Sequence, residues 1–213
     1  MFQKALKVSR IWLLLVLSHG VWSCMNQEPI TIAVVLEAPG RTLDISPLEW
    51  AVEQVNRSGN WVDGRELKLK FYGEEYESTE KAIRAAILDG SAAVIGPPSS
   101  ADFAAAGELA MLNEMVLVSP TSTAGIISRM FKGSPYIWRT TQSDINQAQA
   151  MILIAHRRGA ERVALITGYD DYGTTFFDWF GFFAVELGLN VSTIERLQSD
   201  KDCRGAVVRA LSG

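Results

Sequence analysis

The feature that most restricts the fold is an alternation, from residue 29 onward, of short apolar runs with stretches of helical periodicity. Four runs have the length and composition of strands: residues 30–36, 67–72, 92–95 and 115–118. Three helix patterns lie between them and open near Ser46, Ser78 and Ser100. Ser46 is expected to form a capping box with Glu49. Because a helix between two strands returns the chain to the same end of the sheet, this order predicts an open parallel α/β sheet with helices on both faces.

A second α/β unit begins after the strand pattern of residues 136–140. Its predicted elements are a helix from 144 to 159, strands at 162–167 and 190–195, and helices at 174–187 and 203–211. No further strand pattern follows before Gly213, so this unit is expected to be incomplete. The predicted domains are a signal peptide at 1–23, a short linker at 24–29, a first α/β lobe at 30–140 and the beginning of a second at 141–213.

One predicted helix of the second unit is rich in aromatic residues. Its six aromatic side chains are Phe176, Phe177, Trp179, Phe180, Phe182 and Phe183. They go almost all round the helix, so more than one of its faces must be covered. We predict that these side chains pack in a core and do not contact a ligand.

The amino terminus has the parts of a secretory signal. Basic residues at positions 4, 7 and 10 precede the apolar run 11–17, and small residues lead up to Cys24. The apolar run is too short to span a membrane as a mature anchor. We predict that residues 1–23 are removed after export, which makes the protein periplasmic or cell-surface. Residues 21–24 also resemble the lipobox of bacterial lipoproteins, so two interpretations stay open: plain cleavage, or lipid attachment at Cys24.

Charge and composition exclude several classes of function. Removing residues 1–23 takes away three positive charges and no negative ones, so the formal net charge moves from −4 to −7. An acidic exported protein of this kind is a poor binder of nucleic acid. Outside the export region only Cys203 remains, so no disulfide framework can form within the chain. His19 lies in the signal and His156 at a basic helix end, and we expect neither a metal nor another cofactor.

Hydroxyl side chains follow two of the predicted strands. In residues 96–100, Gly-Pro-Pro-Ser-Ser, Ser99 fits the pattern of a helix N-cap with Asp102, and Ser100 is left over. The Ser100 hydroxyl lies beside the free N–H groups of the first helical turn, which favour an anionic group. A tandem cap without a ligand explains the two serines equally well. The next strand runs into a second polar loop, Ser-Pro-Thr-Ser-Thr at 119–123.

These loops lack the motifs of enzymes. Residues 168–173 have the glycine spacing of a phosphate loop but no lysine, so they do not predict a nucleotide site. The serines at the strand ends have no plausible histidine base, and no G-x-S-x-G motif occurs in the chain. Hydroxyl groups and the aromatic Tyr172 remain, and such groups suit the binding of a small polar ligand. We therefore expect that the protein is not an enzyme.

Several motifs in one order resemble a known family. They are Val52–Gly59 followed by Asp63–Leu69, then Ile95–Ser100, Ser119–Thr123 and Asp170–Gly173. This series resembles the type I periplasmic binding proteins of ABC transporters for the branched-chain amino acids leucine, isoleucine and valine. The resemblance implies two α/β lobes hinged around a cleft, which closes on an amino acid or a similar small carboxylate. It also implies delivery to an ABC permease in the membrane, and a complete protein that is a monomer.

The resemblance also assigns residues to the ligand. Ser100 matches the serine that holds the ligand carboxylate, and Ser99 beside it caps the helix. Thr121 and Thr123 match positions in the loop that contacts the carboxylate and ammonium groups. Tyr172 matches the aromatic residue that covers the ligand from the second lobe. The implied ligand-binding residues are thus Ser99, Ser100, Thr121, Thr123 and Tyr172.

The sequence departs from the family pattern in two places. The loop at 37–41 carries Glu37 and Arg41 and is short of the usual Gly/Ser-rich form, which favours a solute unlike leucine. The later second-lobe acid that meets the ammonium group in the family is expected beyond Gly213, so we expect these 213 residues to bind an amino acid weakly. Receptor ectodomains share the fold and the motifs. The alternative function is therefore a ligand-sensing ectodomain of a signalling receptor.

Overall fold

The computed structural model describes residues 28–35, 44–59, 62, 64–73, 75–198 and 202–212. In these ranges the strands are β1 Ile30–Val35, β2 Leu67–Tyr72, β3 Ala93–Ile95, β4 Val116–Ser119, β5 Ile137–Arg139, β6 Arg162–Gly168 and β7 Asn190–Leu197. The helices are α1 Ser46–Ser58, α2 Thr79–Leu88, α3 Ser100–Leu112, α4 Gly125–Met130, α5 Asp144–Arg157, α6 Asp171–Glu186 and α7 Cys203–Ser212. The predicted alternation of strands and helices is confirmed, with α4 as an additional short helix.

The chain forms two compact units. Of the described residues, the smaller unit contains those in 28–31 and 44–69, and the larger contains those in 32–35 and 70–212. The predicted division into lobes at 30–140 and 141–213 stays a prediction. No helix among the described residues is long and apolar enough to cross a membrane.

The smaller unit contains α1, whose N-cap differs from the predicted one. Ser46 is not the N-cap of α1: that position belongs to Ile45, whose side chain makes no capping bond. Ser46 instead donates its N–H and hydroxyl groups to a carboxylate oxygen of Asp44, because that acid supplies a stronger acceptor two residues earlier. The helix ends at Gly59, as predicted, where a φ of +83° suits glycine.

The first five strands form a five-stranded sheet in the order β2-β1-β3-β4-β5. β3 pairs in parallel with β1 and with β4, and β4 pairs in parallel with β5. The parallel α/β fold class is therefore confirmed. Because these strands run in one direction, the loops that follow β3, β4 and β5 leave from the same edge of the sheet. That edge carries the hydroxyl groups on which the sequence prediction depended.

The core of the larger unit is formed by the sheet with α2 and α3. Its largest fully buried side chains include Tyr72, Ile83, Val94, Phe103 and Leu117. Burial of one such side chain contributes about 1.5–3 kcal/mol. This core supports the loops at the carboxyl ends of β3 and β4.

A two-stranded sheet follows, in which β6 and β7 pair in parallel. Its apolar cluster is formed by Ile152, Leu165, Phe180, Ala184 and Leu189. The predicted core role of the aromatic helix is confirmed for Phe176 and Phe180, which are 6% and 4% exposed. Phe177 and Phe182 are 38% and 52% exposed, because a helix packed against one sheet cannot bury its whole circumference.

Candidate functional site

The loop between β3 and α3 begins at Gly96, in a conformation that suits glycine. Its φ is +106°, and a Cβ atom here would lie 2.4 Å from the backbone oxygen of Val35. The peptide bond from Gly96 to Pro97 is cis. Ser99 then caps α3, because its Oγ accepts a hydrogen bond from the Asp102 N–H at 3.1 Å and donates to an Asp102 carboxylate oxygen at 2.7 Å. The predicted N-cap is confirmed.

Ser100 is the first residue of α3, and only 8% of it is exposed. Its Oγ accepts a hydrogen bond from the Ala124 N–H at 3.2 Å, a contact between residues 24 positions apart. A hydroxyl group has one proton to donate and two lone pairs with which to accept. The bond from Ala124 therefore leaves the Ser100 proton available for an anion. The ligand roles of Ser99 and Ser100 stay predictions.

Three hydroxyl groups join the loop after β4 to the loop after β3. Ser119 and Ser122 are fully buried, and their oxygens lie 2.7 Å apart. The Pro97 carbonyl oxygen lies 3.0 Å from Ser119 Oγ, and Thr121 Oγ1 donates to the Pro98 carbonyl at 2.8 Å. Proline has a backbone carbonyl but no N–H. The hydroxyl groups of the loop after β4 therefore act as donors to the proline carbonyls of the loop after β3. Thr121 thus has a structural contact, and its ligand role stays a prediction.

The backbone at Thr123 is held from the end of β5. Arg139 Nη1 donates to the carbonyl oxygens of Thr123 and Ala124 at 3.0 and 3.1 Å, and its Nη2 donates to Ser128 Oγ at 2.6 Å. The Thr123 carbonyl also accepts a hydrogen bond from the Asp144 N–H at 3.0 Å. Thr123 itself is half-buried. The loop after β4 is therefore bonded to both β5 and α5.

Asp144 is a buried acid whose sequence pattern predicts only the start of a helix. It is 1% exposed, and its Oδ2 has no hydrogen-bond partner among the described residues. Burial raises the pKa of Asp144 to about 6, while the Ser143 hydroxyl, the Ile145 N–H and the Arg139 charge act in the opposite direction. A buried carboxylate with an unused oxygen can accept a charged donor. Its sequence signal was that of a helix start, in the loop after a predicted strand.

Tyr172 lies in the first turn of α6. Asp170 caps this helix by accepting a hydrogen bond from the Gly173 N–H at 2.8 Å. A Cβ atom at Gly173 would lie 2.4 Å from the Gly168 backbone oxygen, so glycine is needed for the turn to close. The Tyr172 side chain is partly exposed, and burial together with the negative charge of Asp144 raises its pKa. Tyr172 therefore lies within electrostatic reach of the buried acid.

The structure brings most of the predicted residues to one place. Ser100 bonds to Ala124, Asp144 bonds to Thr123, and Tyr172 approaches from α6. In the described residues no group of three or more His, Cys, Asp or Glu side chains could hold a metal ion. What the arrangement offers is a hydroxyl donor at Ser100, bonded to Ala124, and a buried acid at Asp144, whose backbone N–H is bonded to the neighbouring Thr123. Such a pair can bind a small molecule that carries both a negatively and a positively charged group.

Three sequence predictions lie outside the described residues. They are the signal peptide at 1–23, lipid attachment at Cys24, and the charges of the loop at 37–41. These predictions stay as they were made.

Comparison with known families gives a match over most of the chain. Residues 48–211 match the model of the family described as receptor family ligand binding region. No curated protein matches the chain.

Several solved structures are similar. An ABC transporter substrate-binding protein from Desulfitobacterium hafniense is 27% identical with a TM-score of 0.68, and the match covers 87% of this chain and 56% of that one. A structure of an ABC transporter substrate-binding protein from the same organism in complex with Leu is 26% identical, with a TM-score of 0.69 and the same coverage. The leucine binding protein LivK from Thermotoga maritima is 25% identical with a TM-score of 0.69, covering 86% and 53%. The chain thus spans about half the length of these proteins.

Proposed function

Because the chain belongs to the type I periplasmic binding proteins, we propose that it is the ligand-binding part of an extracytoplasmic receptor for an amino acid or a similar small carboxylate. The family and the similar structures are binding proteins and not enzymes. One observation carries the proposal: the Ser100 hydroxyl is bonded to Ala124, and the backbone N–H of the buried acid Asp144 is bonded to the adjacent Thr123. The carboxylate and ammonium groups of an α-amino acid share one carbon atom, so its site needs a donor and an acid close together.

Each residue has a proposed role. Ser100 donates its proton to the ligand carboxylate, which the N–H groups at the start of α3 also attract. Asp144 accepts from the ligand ammonium through Oδ2, which has no partner among the described residues. Thr123 adds a hydroxyl and Tyr172 covers the ligand. Ser99 and Thr121 have a smaller part, because their hydroxyls already have protein partners.

A set of matched ligands tests these roles. The 213-residue chain is first titrated with the twenty L-amino acids by NMR. For L-leucine, the comparison then uses isoamylamine, which lacks the carboxylate, and 4-methylpentanoate, which lacks the ammonium group. Ser100→Ala should weaken leucine and 4-methylpentanoate but leave isoamylamine unchanged. Asp144→Asn should weaken leucine and isoamylamine but leave 4-methylpentanoate unchanged.

Two outcomes would contradict the proposal. If both variants weaken all three compounds equally, the residues support the loop and do not contact the ligand. If no amino acid or small carboxylate binds, the ligand class is wrong. Native mass spectrometry of the full-length protein purified from cells would then identify any solute that it retains. The Ser99→Ala variant is the control, because its hydroxyl is used by the helix cap.

We also propose that the complete protein delivers its ligand to an ABC permease, since similar structures are named as ABC transporter substrate-binding proteins. Loss of solute uptake on deletion of the gene would support transport. The second candidate is a ligand-sensing ectodomain, which the description of the matched family as a receptor favours. Unchanged uptake with a lost response to the solute would support sensing.

Export and anchoring belong to the same proposal. The expected product is periplasmic or cell-surface, with residues 1–23 removed as a signal peptide. Intact mass analysis of the membrane and soluble fractions would separate a product cleaved near Cys24 from one with a lipid on that cysteine. An unprocessed amino terminus in both fractions would contradict the predicted signal.

A further inference from the structure

Arg139 contacts the candidate site although sequence analysis did not select it. We propose that Arg139 is a positioning residue of this site: it fixes the carbonyl groups of Thr123 and Ala124, and its cation lies beside Asp144, whose N–H donates to the same Thr123 carbonyl. The effect on a ligand rests on the proposed function. The effect on the acid can be measured without any ligand.

The geometry of Arg139 suits a role in holding the loop. It is the last residue of β5, and it lies opposite Ser119, the last residue of β4, in a parallel pair. Its guanidinium donates to two consecutive carbonyl groups and to the Ser128 hydroxyl, so three acceptors fix its plane. A lysine at this position would keep the charge, but its ammonium group cannot reproduce a planar fork of donors.

The charge of Arg139 acts on a carboxylate of which one oxygen is supported: Ser143 Oγ lies 3.3 Å from Oδ1, whereas Oδ2 has no partner among the described residues. Arg139 Nη1 and the Asp144 N–H both donate to the Thr123 carbonyl oxygen, so the cation at the end of β5 lies beside the acid.

The charge of Asp144 acts on Tyr172 of α6, and α4 contributes the Gly125 N–H. Tyr172 and the Gly125 N–H carry no net charge near pH 7. Arg139 therefore supplies the positive charge among these groups. Burial raises the pKa of Asp144 to about 6 even with this cation nearby. At pH 7 roughly nine tenths of such a group is ionised, and without the cation this fraction should fall.

The first test follows the Asp144 carboxyl carbon by ¹³C NMR as pH is raised, in the ligand-free 213-residue chain. In wild type the midpoint should lie near pH 6. In Arg139→Gln it should rise by roughly one pH unit, and in Arg139→Lys it should stay near the wild-type value. Arg129→Gln is the matched control, because Arg129 is an exposed arginine of α4. In this variant the midpoint of Asp144 should equal that of wild type. An unchanged midpoint in Arg139→Gln would overturn the charge role.

The second test measures L-leucine affinity at pH 7 and at pH 8.5. Arg139→Gln should bind more weakly than wild type at both pH values, because the loop loses its fork of donors. The further loss from the smaller ionised fraction of Asp144, about twofold for a midpoint one pH unit higher, should be present at pH 7 and absent at pH 8.5. Arg139→Lys should be weaker at both pH values, since the fork is lost while the charge remains. Wild-type affinity in Arg139→Lys would overturn the positioning role, and this variant decides the matter if Arg139→Gln does not fold.

The two tests separate this inference from the proposed function. If the Asp144 midpoint moves as expected but leucine does not bind to the wild type, the charge role of Arg139 stands and leucine is not the ligand. If leucine binds equally well to the wild type and to Arg139→Gln at pH 7, the proposed function stands and the inference about Arg139 is wrong.

Discussion

Replacing Ser100 by alanine removes one hydroxyl that has two separable effects. The first is on stability, because Ser100 Oγ is the acceptor for the N–H of Ala124, a fully buried residue. A buried donor left without its acceptor costs about 1–3 kcal/mol. In a chain of this length each kcal/mol lowers Tm by roughly 2–4 °C, so we expect a decrease of roughly 2–12 °C. The second effect is the loss of the proposed bond to the ligand carboxylate, about 1.5–3 kcal/mol of binding free energy.

The assay compares Ser100→Ala with Ser99→Ala, its neighbour in the chain. Ser99→Ala loses a helix cap and should lower the free energy of unfolding by about 1 kcal/mol, with a smaller loss of binding than Ser100→Ala. Urea unfolding followed by tryptophan fluorescence gives the first quantity, and NMR titration with the bound amino acid gives the second. If Ser100→Ala unfolds like the wild type, the bond to Ala124 has no value for stability. If Ser99→Ala is the variant that loses binding, the roles of the two serines are exchanged.

Three further predictions concern other parts of the chain. Gly173→Ala should lower Tm by several degrees, because its Cβ would lie 2.4 Å from the Gly168 oxygen, and an unchanged Tm would contradict this. Phe180→Ala should cost about 3–5 kcal/mol of unfolding free energy, whereas the half-exposed Phe182→Ala should cost less than about 1, and equal urea curves would contradict that difference. Asp144 has a pKa raised to about 6, so the folded state binds more protons than the unfolded state between roughly pH 4 and 6. Stability should therefore fall by about 2–3 kcal/mol as pH rises through this range, and Asp144→Asn should lack that decline.

The order of the elements could be predicted because its signals are local. Ser78 and Ser99 each accept a hydrogen bond from an N–H three residues later, within one turn of their helices. Gly59 ends α1 through its own backbone conformation. The cap at Ser46 failed for an equally local reason, since Asp44 was also within reach. Short α4 was missed because six residues give too little periodicity to recognise.

The candidate site was predicted only in part, because its connections are long-range. The hydroxyl residues were identified from their motifs, but the partner of Ser100 is 24 positions away and that of Thr121 is 23 positions away. Arg139 reaches back 16 positions to Thr123. Asp144 has the pattern of an ordinary first residue of a helix, and only burial distinguishes it. No window of local sequence contains these contacts, so the two residues that set the charge of the site were found in the structure alone.

The proline carbonyls that face the hydroxyls of the neighbouring loop restrict how this protein can diverge. Ser119, Thr121 and Ser122 share the Pro97 and Pro98 carbonyls, so a change of Ser119 or Thr121 to an apolar residue removes one of the hydroxyls that join the two loops. Paired changes are rare under selection, and the two loops should therefore be inherited together. Tyr172 belongs to a separate helix and takes no part in these bonds between the two loops. Selection for a different solute should then act first on Tyr172 and its surroundings.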